Sequence, residues 1–137
     1  MASETPPAVY LVLCEDLTIQ SSFNGNTQTH VVTPKAHWGM GFNLSDFIAG
    51  LRIKSSSDPN AGAGVTLTWQ WSLDGKSWNT GTTVISEKTS TGDYTGTHAV
   101  TAEQTPFVRL IVNVRDTAVT AQKSANITVW AYYRFRT

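Results

Sequence analysis

A single cysteine, Cys14, occurs in the chain, which excludes any disulfide within it. No surplus of basic charge is present either, since 10 Lys and Arg balance 10 Asp and Glu. A surface that grips nucleic acid or an anionic membrane needs such a surplus to displace counterions, so neither partner is expected. Long hydrophobic runs are missing as well. The apolar stretch Ala8-Val9-Tyr10-Leu11-Val12-Leu13 is too short to span a bilayer. Glu4, Pro6 and Pro7 precede it where a secretory leader would carry basic residues, so no such leader is expected. Leu13 is too large for the lipoprotein motif that would end at Cys14. The sequons at Asn43 and Asn126 are therefore expected to carry no glycan, and Cys14 reads as a buried thiol.

Catalytic and metal-binding patterns are also wanting. His30, His37 and His98 show no ligand spacing, and His30 and His98 fall among strand-forming threonines where a hydrogen-bonded structural role is expected. The Asn-Ala-Gly-Ala-Gly stretch from Asn60 has no following Lys and opens no helix, so it is not a phosphate loop. Ser72 does not sit in a nucleophile elbow. Asp58, Asp74, Asp93 and Asp116 each accompany turn-forming residues, which explains them more simply than calcium does. No catalytic residue, cofactor or metal is expected.

What the chain does have is hydrophobic content of 40%, enough for a packed core, and a length that suits one domain. Ser and Thr make up roughly a quarter of the residues, helix formers are sparse, and no stretch keeps a helical period. Short alternating runs bounded by Gly, Pro, Asn and Asp recur at 8–13, 17–23, 28–33, 47–55, 65–73, 77–86, 94–101, 107–115 and 125–135. A helical turn is expected at Ser45-Asp46-Phe47. The whole reads as an all-β, antiparallel β-sandwich, jelly-roll-like, with eight or nine strands spanning 8–137 behind an extended arm at 1–7.

Three of the five tryptophans crowd into Val65–Thr83. Val65, Leu67, Trp69, Trp71 and Leu73 share one strand face, so Trp69 and Trp71 read as core. Asp74-Gly75 predicts a two-residue hairpin that sets Leu73 opposite Lys76, Ser72 opposite Ser77 and Trp71 opposite Trp78. In the last run, Ile127, Val129, Ala131, Tyr133 and Phe135 read as inward, leaving Trp130, Tyr132 and Arg134 outside. In 107–115, Val108, Leu110, Val112 and Val114 read as inward, leaving Arg109 and Ile111 outside. If these strands are neighbours, Trp130, Tyr132, Arg134, Arg109 and Ile111 form one partner-binding patch of the residue types that dominate interface energetics.

Gln70, Ser72, Asp74, Gly75 and Trp78, followed by Val108-Arg109-Leu110 and a final alternating strand, resemble small β-sandwich proteins of tailed-phage virions. The likeness covers residues 65–135. It implies a non-enzymatic head decoration or cement protein that bridges subunits of the major capsid protein or another virion protein. It also implies a homo-oligomer, a trimer by preference, made in the host cytoplasm and located in the virion. The same hairpin is similar to discoidin-like jelly-rolls, which implies the alternative of a carbohydrate-binding module stacking sugars on Trp38, Tyr94 or Trp78. The chain departs from secreted discoidin domains in lacking paired cysteines. It departs from the sialidase Asp-box in lacking a residue between Asp74 and Gly75.

Overall fold

The computed structural model describes residues 8–21, 27–39, 43–56, 63–101, 104, 106–116 and 123–136. The arm at 1–7 and Asp58 lie outside the described residues. Among these residues eight strands follow one another: β1 (Ala8–Gln20), β2 (Gln28–Val31), β3 (Leu44–Ser56), β4 (Ala63–Ser72), β5 (Thr82–Lys88), β6 (Gly92–Ala99), β7 (Phe107–Asp116) and β8 (Ser124–Phe135). They form two four-stranded antiparallel sheets, ordered β1-β8-β3-β6 and β2-β7-β4-β5. The first strand pairs with the last, the second with the seventh, the third with the sixth and the fourth with the fifth. This nesting of pairs is what wrapping one long hairpin into two layers produces. It is the jelly-roll arrangement of a β-sandwich.

Strict alternation builds the core between the layers. Phe47, Ala49, Leu51 and Ile53 of β3 meet Ile127, Val129, Ala131 and Tyr133 of β8 on one side. Val65, Leu67 and Trp69 of β4 meet Val108, Leu110, Val112 and Val114 of β7 on the other. Trp69 is 1% exposed and stands edge-on to Phe47, with ring centroids 5.8 Å apart. Such a pair is worth about 0.5–1.5 kcal/mol beyond the area it buries. His98 of β6 completes the cluster, 4.8 Å from the Trp69 ring. The layers approach closely at one edge, where a Cβ on Gly96 of β6 would come within 2.2 Å of the Val84 carbonyl oxygen of β5.

Several local expectations need correction. Runs 8–13 and 17–20 belong to one strand, β1, interrupted by register shifts between Val12 and Leu17; residues 22 and 23 of the second expected run lie outside the described residues. Asp16 adopts a positive φ of 49° there, and its N–H donates to the Thr128 hydroxyl at 3.1 Å. Cys14, at this irregularity, is half-buried, and burial pushes its thiol up from the ordinary value. Ser45-Asp46-Phe47 is not a helical turn but the start of β3; the short 3₁₀ turn is Lys35–His37.

The largest correction concerns the Asp74-Gly75 turn. Pairing between β4 and β5 ends at Trp69 opposite Thr82, leaving a loop from Leu73 to Gly81. Side chains capture the backbone that a tight hairpin would have paired. Asp74 Oδ1 accepts the N–H groups of Lys76 and Ser77 at 2.8 Å each, and Ser72 Oγ accepts that of Gly75 at 2.9 Å. Asn79 Oδ1 takes the Trp71 N–H at 2.7 Å. Trp71 is thus half-buried at the end of the core, Leu73 is 68% exposed, and Trp78 has turned to other partners.

Candidate interaction surface

The two sheets present different outer faces. On the β2-β7-β4-β5 sheet, Thr29 donates to Asn113 Oδ1 at 2.8 Å, and Asn113 Nδ2 donates to the Thr68 hydroxyl at 3.3 Å. With Thr66, Thr83 and the Arg115–Glu87 ion pair, these residues make one part of this face a wettable lattice of small polar groups.

The outer face of the β1-β8-β3-β6 sheet is aromatic. Register places Tyr10, Tyr132 and Ile48 in one row across β1, β8 and β3, and Val12, Trp130 and Gly50 in the next. A third row pairs Thr128 with Arg52 and Arg52 with Asp93. Tyr10 is 59% exposed, Val12 47% and Tyr132 40%. Trp130 lies flat over the β3 backbone because Gly50 has no side chain: a Cβ there would sit 1.9 Å from the indole. The Arg52 guanidinium stands 5.9 Å from the Trp130 ring and donates to Asp93 at 2.8 Å. Tyr10, Val12, Glu15, Arg52, Thr128 and Trp130 enclose a shallow concavity of about 410 Å³. An exposed apolar patch framed by charges is the usual anatomy of a protein contact surface.

The structure divides the sequence-predicted patch in two. β7 and β8 belong to different sheets, so Arg109 and Ile111 are not beside Trp130, Tyr132 and Arg134. Ile111 is 5% exposed and offers a partner nothing. Arg134 lies on the aromatic face, but its guanidinium forms an ion pair with Asp46, Nε to Oδ1 at 2.8 Å. Reasoning from sequence missed Tyr10, Val12 and Arg52. Alternation in Val9-Tyr10-Leu11-Val12 held the signal, but an unbroken apolar run conceals which face is out.

Arg109 helps to build a second aromatic cluster. Its guanidinium stacks 4.1 Å from the Trp78 ring and 5.6 Å from Trp38, while its Nε donates to Gln70 at 2.9 Å. Trp38 and Trp78 meet edge to face at 5.0 Å. Burial pulls the Arg109 guanidinium below its ordinary value. Tyr94 is remote from this pair; its hydroxyl donates to the Ser90 carbonyl at 2.8 Å and its ring lies under Lys88. His30 Nε2 lies 3.0 Å from the Gln20 carbonyl oxygen. Among the described residues, no group of three or more His, Cys, Asp and Glu is placed to hold a metal, and no helix is long and apolar enough to cross a membrane.

No protein-family model matches the chain, and no curated protein matches it. Solved structures do. The chain is similar to the VP2 subviral particle of infectious bursal disease virus, with a TM-score of 0.68 and 13% identity over 98% of this chain and 34% of that one. T=1 particles derived from the same virus give a TM-score of 0.65 at 14% identity, over 98% of this chain and 33% of that one. The fold resembles β-sandwich domains of viral capsid proteins. This chain spans about a third of the length of those proteins.

Proposed function

We propose that this chain is a non-enzymatic structural protein of a virus particle, and specifically a decoration or cement protein of a phage head. The observation that carries the reading is the patch of Tyr10, Val12, Trp130 and Tyr132 on the solvent side of a jelly-roll sheet. The fold likeness to capsid β-sandwich domains and the phage-virion resemblance of residues 65–135 support it. Adhesion is the mechanism. Each copy lays its aromatic face on capsid subunits and so binds the assembled shell in preference to free subunits, which stabilises the assembly by mass action. Many symmetric copies multiply a modest contact. A homo-oligomer, preferably a trimer, suits such a role.

The test replaces Trp130 and Tyr132 together by Ser. Both side chains are on the outer face, so the sandwich is expected to fold. Loss of paired aromatic anchors is expected to cost about 2 kcal/mol or more per anchor in attachment to cognate capsids, read by co-sedimentation. A folded double variant that attaches as tightly as the wild type would overturn this assignment of the surface.

A further inference from the structure

The loop Leu73–Gly81 does more than end β4. With Trp71 and Ser72 it forms a groove of about 340 Å³ lined by Trp71, Ser72, Leu73, Asp74, Ser77, Trp78 and Asn79. Two indoles and the exposed Leu73 supply its apolar surface. Its polar groups have a particular valence. Asp74 spends Oδ1 on Ser72, Lys76 and Ser77, while among the described residues Oδ2 accepts nothing. Asn79 spends Oδ1 on the Trp71 N–H, and its side-chain amide donates to nothing among the described residues. The groove therefore offers one fixed acceptor and one fixed donor beside two half-buried indoles.

We propose that this groove binds a neutral pyranose sugar. The ring's C–H face would lie on an indole, and adjacent hydroxyls would donate to Asp74 Oδ2 and accept from the Asn79 amide. One charge of each sign borders the groove, and each weighs against a ligand of its own sign. The Arg109 guanidinium already covers Trp78 at 4.1 Å and disfavours a quaternary ammonium. The Asp74 carboxylate disfavours an acidic sugar or a phosphate. A neutral polyol escapes both repulsions. The site is preorganised, because Trp38 and Arg109 hold Trp78, and side-chain bonds hold Asp74 and Asn79. The inference is independent of the particle reading, since it uses a different part of the surface.

The experiment titrates the full chain with methyl glucopyranoside, methyl galactopyranoside, methyl mannopyranoside and N-acetylglucosamine, and in parallel with tetramethylammonium. Binding is followed by tryptophan fluorescence and by the indole and Asn side-chain amide signals in NMR. Saturable binding of at least one sugar is expected, with shifts at Trp71, Trp78 and Asn79. Trp78→Ala and, independently, Asp74→Asn are each expected to weaken it about tenfold or more. Asp74→Asn keeps the turn acceptor Oδ1, so it answers even if Trp78→Ala does not fold. Three results would overturn the proposal: no sugar bound at tens of millimolar, sugar binding unchanged in the folded variants, or tetramethylammonium bound in preference.

Discussion

Trp69 and Trp71 are two positions apart and differ in energetic weight. Trp69 is enclosed by Phe47, His98 and the β7 side chains, whereas Trp71 lies half-buried where the core ends. Trp69→Ala is expected to cost about 3–5 kcal/mol in urea unfolding, and Trp71→Ala clearly less. Trp69 Nε1 is buried without a hydrogen-bond partner among the described residues, so Trp69→Phe should recover much of the loss despite removing a ring. Acid should act through His98, whose burial holds its imidazole below the ordinary value of 6.5. A base whose pKa is depressed on folding contributes stability that is fully present above 6.5 and declines as pH falls below it. The unfolding midpoint should fall between pH 7.5 and pH 5.5, roughly the window in which an unfolded histidine gains its proton, and His98→Gln should flatten that fall. Asp74 behaves similarly at lower pH. Backbone N–H groups of Ser77 and Lys76 bring its carboxyl from 3.8 to about 2, so its contribution is fully present well above 3.8 and is lost as pH falls from there through the lower value.

Two glycines set how elements approach one another, with opposite consequences. At Gly96 a methyl group would strike the Val84 carbonyl oxygen, which belongs to the neighbouring sheet and cannot swing aside. Gly96→Ala is expected to destabilise the sandwich by about 1–3 kcal/mol, measured by denaturant titration. At Gly50 the obstacle is the Trp130 indole, a side chain on the solvent face that can rotate away. Gly50→Ala should leave the fold intact while displacing Trp130, seen as a shift in tryptophan emission and weaker capsid attachment. Adding Trp130→Ser to Gly50→Ala should then cause little further loss of attachment, since both changes remove the same contact.

For the molecule as a whole, the asymmetry between its outer faces is the property on which the proposed particle role rests. One face carries a threonine and asparagine lattice beside the Trp38, Trp78 and Arg109 cluster, the other an aromatic patch crossed by ion pairs. Exposed pairs such as Arg52–Asp93 and Lys54–Asp16 contribute little to folding. They can still set the orientation of a partner. Light scattering of the wild type is expected to show an oligomer, trimeric under the proposed reading, and capsids bearing it should resist heat better than bare ones. Removing residues 2–7 should weaken attachment and leave the melting temperature of the isolated domain unchanged. A wild-type monomer that neither binds nor stabilises capsids would contradict the particle role.

The layer architecture and the inward faces of β4, β7 and β8 were legible in sequence, because burial on one side of a strand imposes a period of two on local residues. Trp69 as core and the outward placement of Trp130 and Tyr132 followed from the same rule. What lay beyond local periodicity was decided by tertiary structure. Whether β7 and β8 share a sheet depends on chain wrapping, and their separation split Arg109 and Ile111 from Trp130. The Asp74-Gly75 dipeptide predicts a tight hairpin, yet Ser72, Asp74 and Asn79 captured the backbone and opened a groove instead. Trp38 and Trp78 lie 40 positions apart in the chain, and their contact around Arg109 exists only because the 3₁₀ turn and the β4–β5 loop fold toward the same strand, β7. Alternation reports which side of a strand is buried; which strands become neighbours is a long-range choice made when the hairpins wrap, and on that choice the composition of every surface site depends.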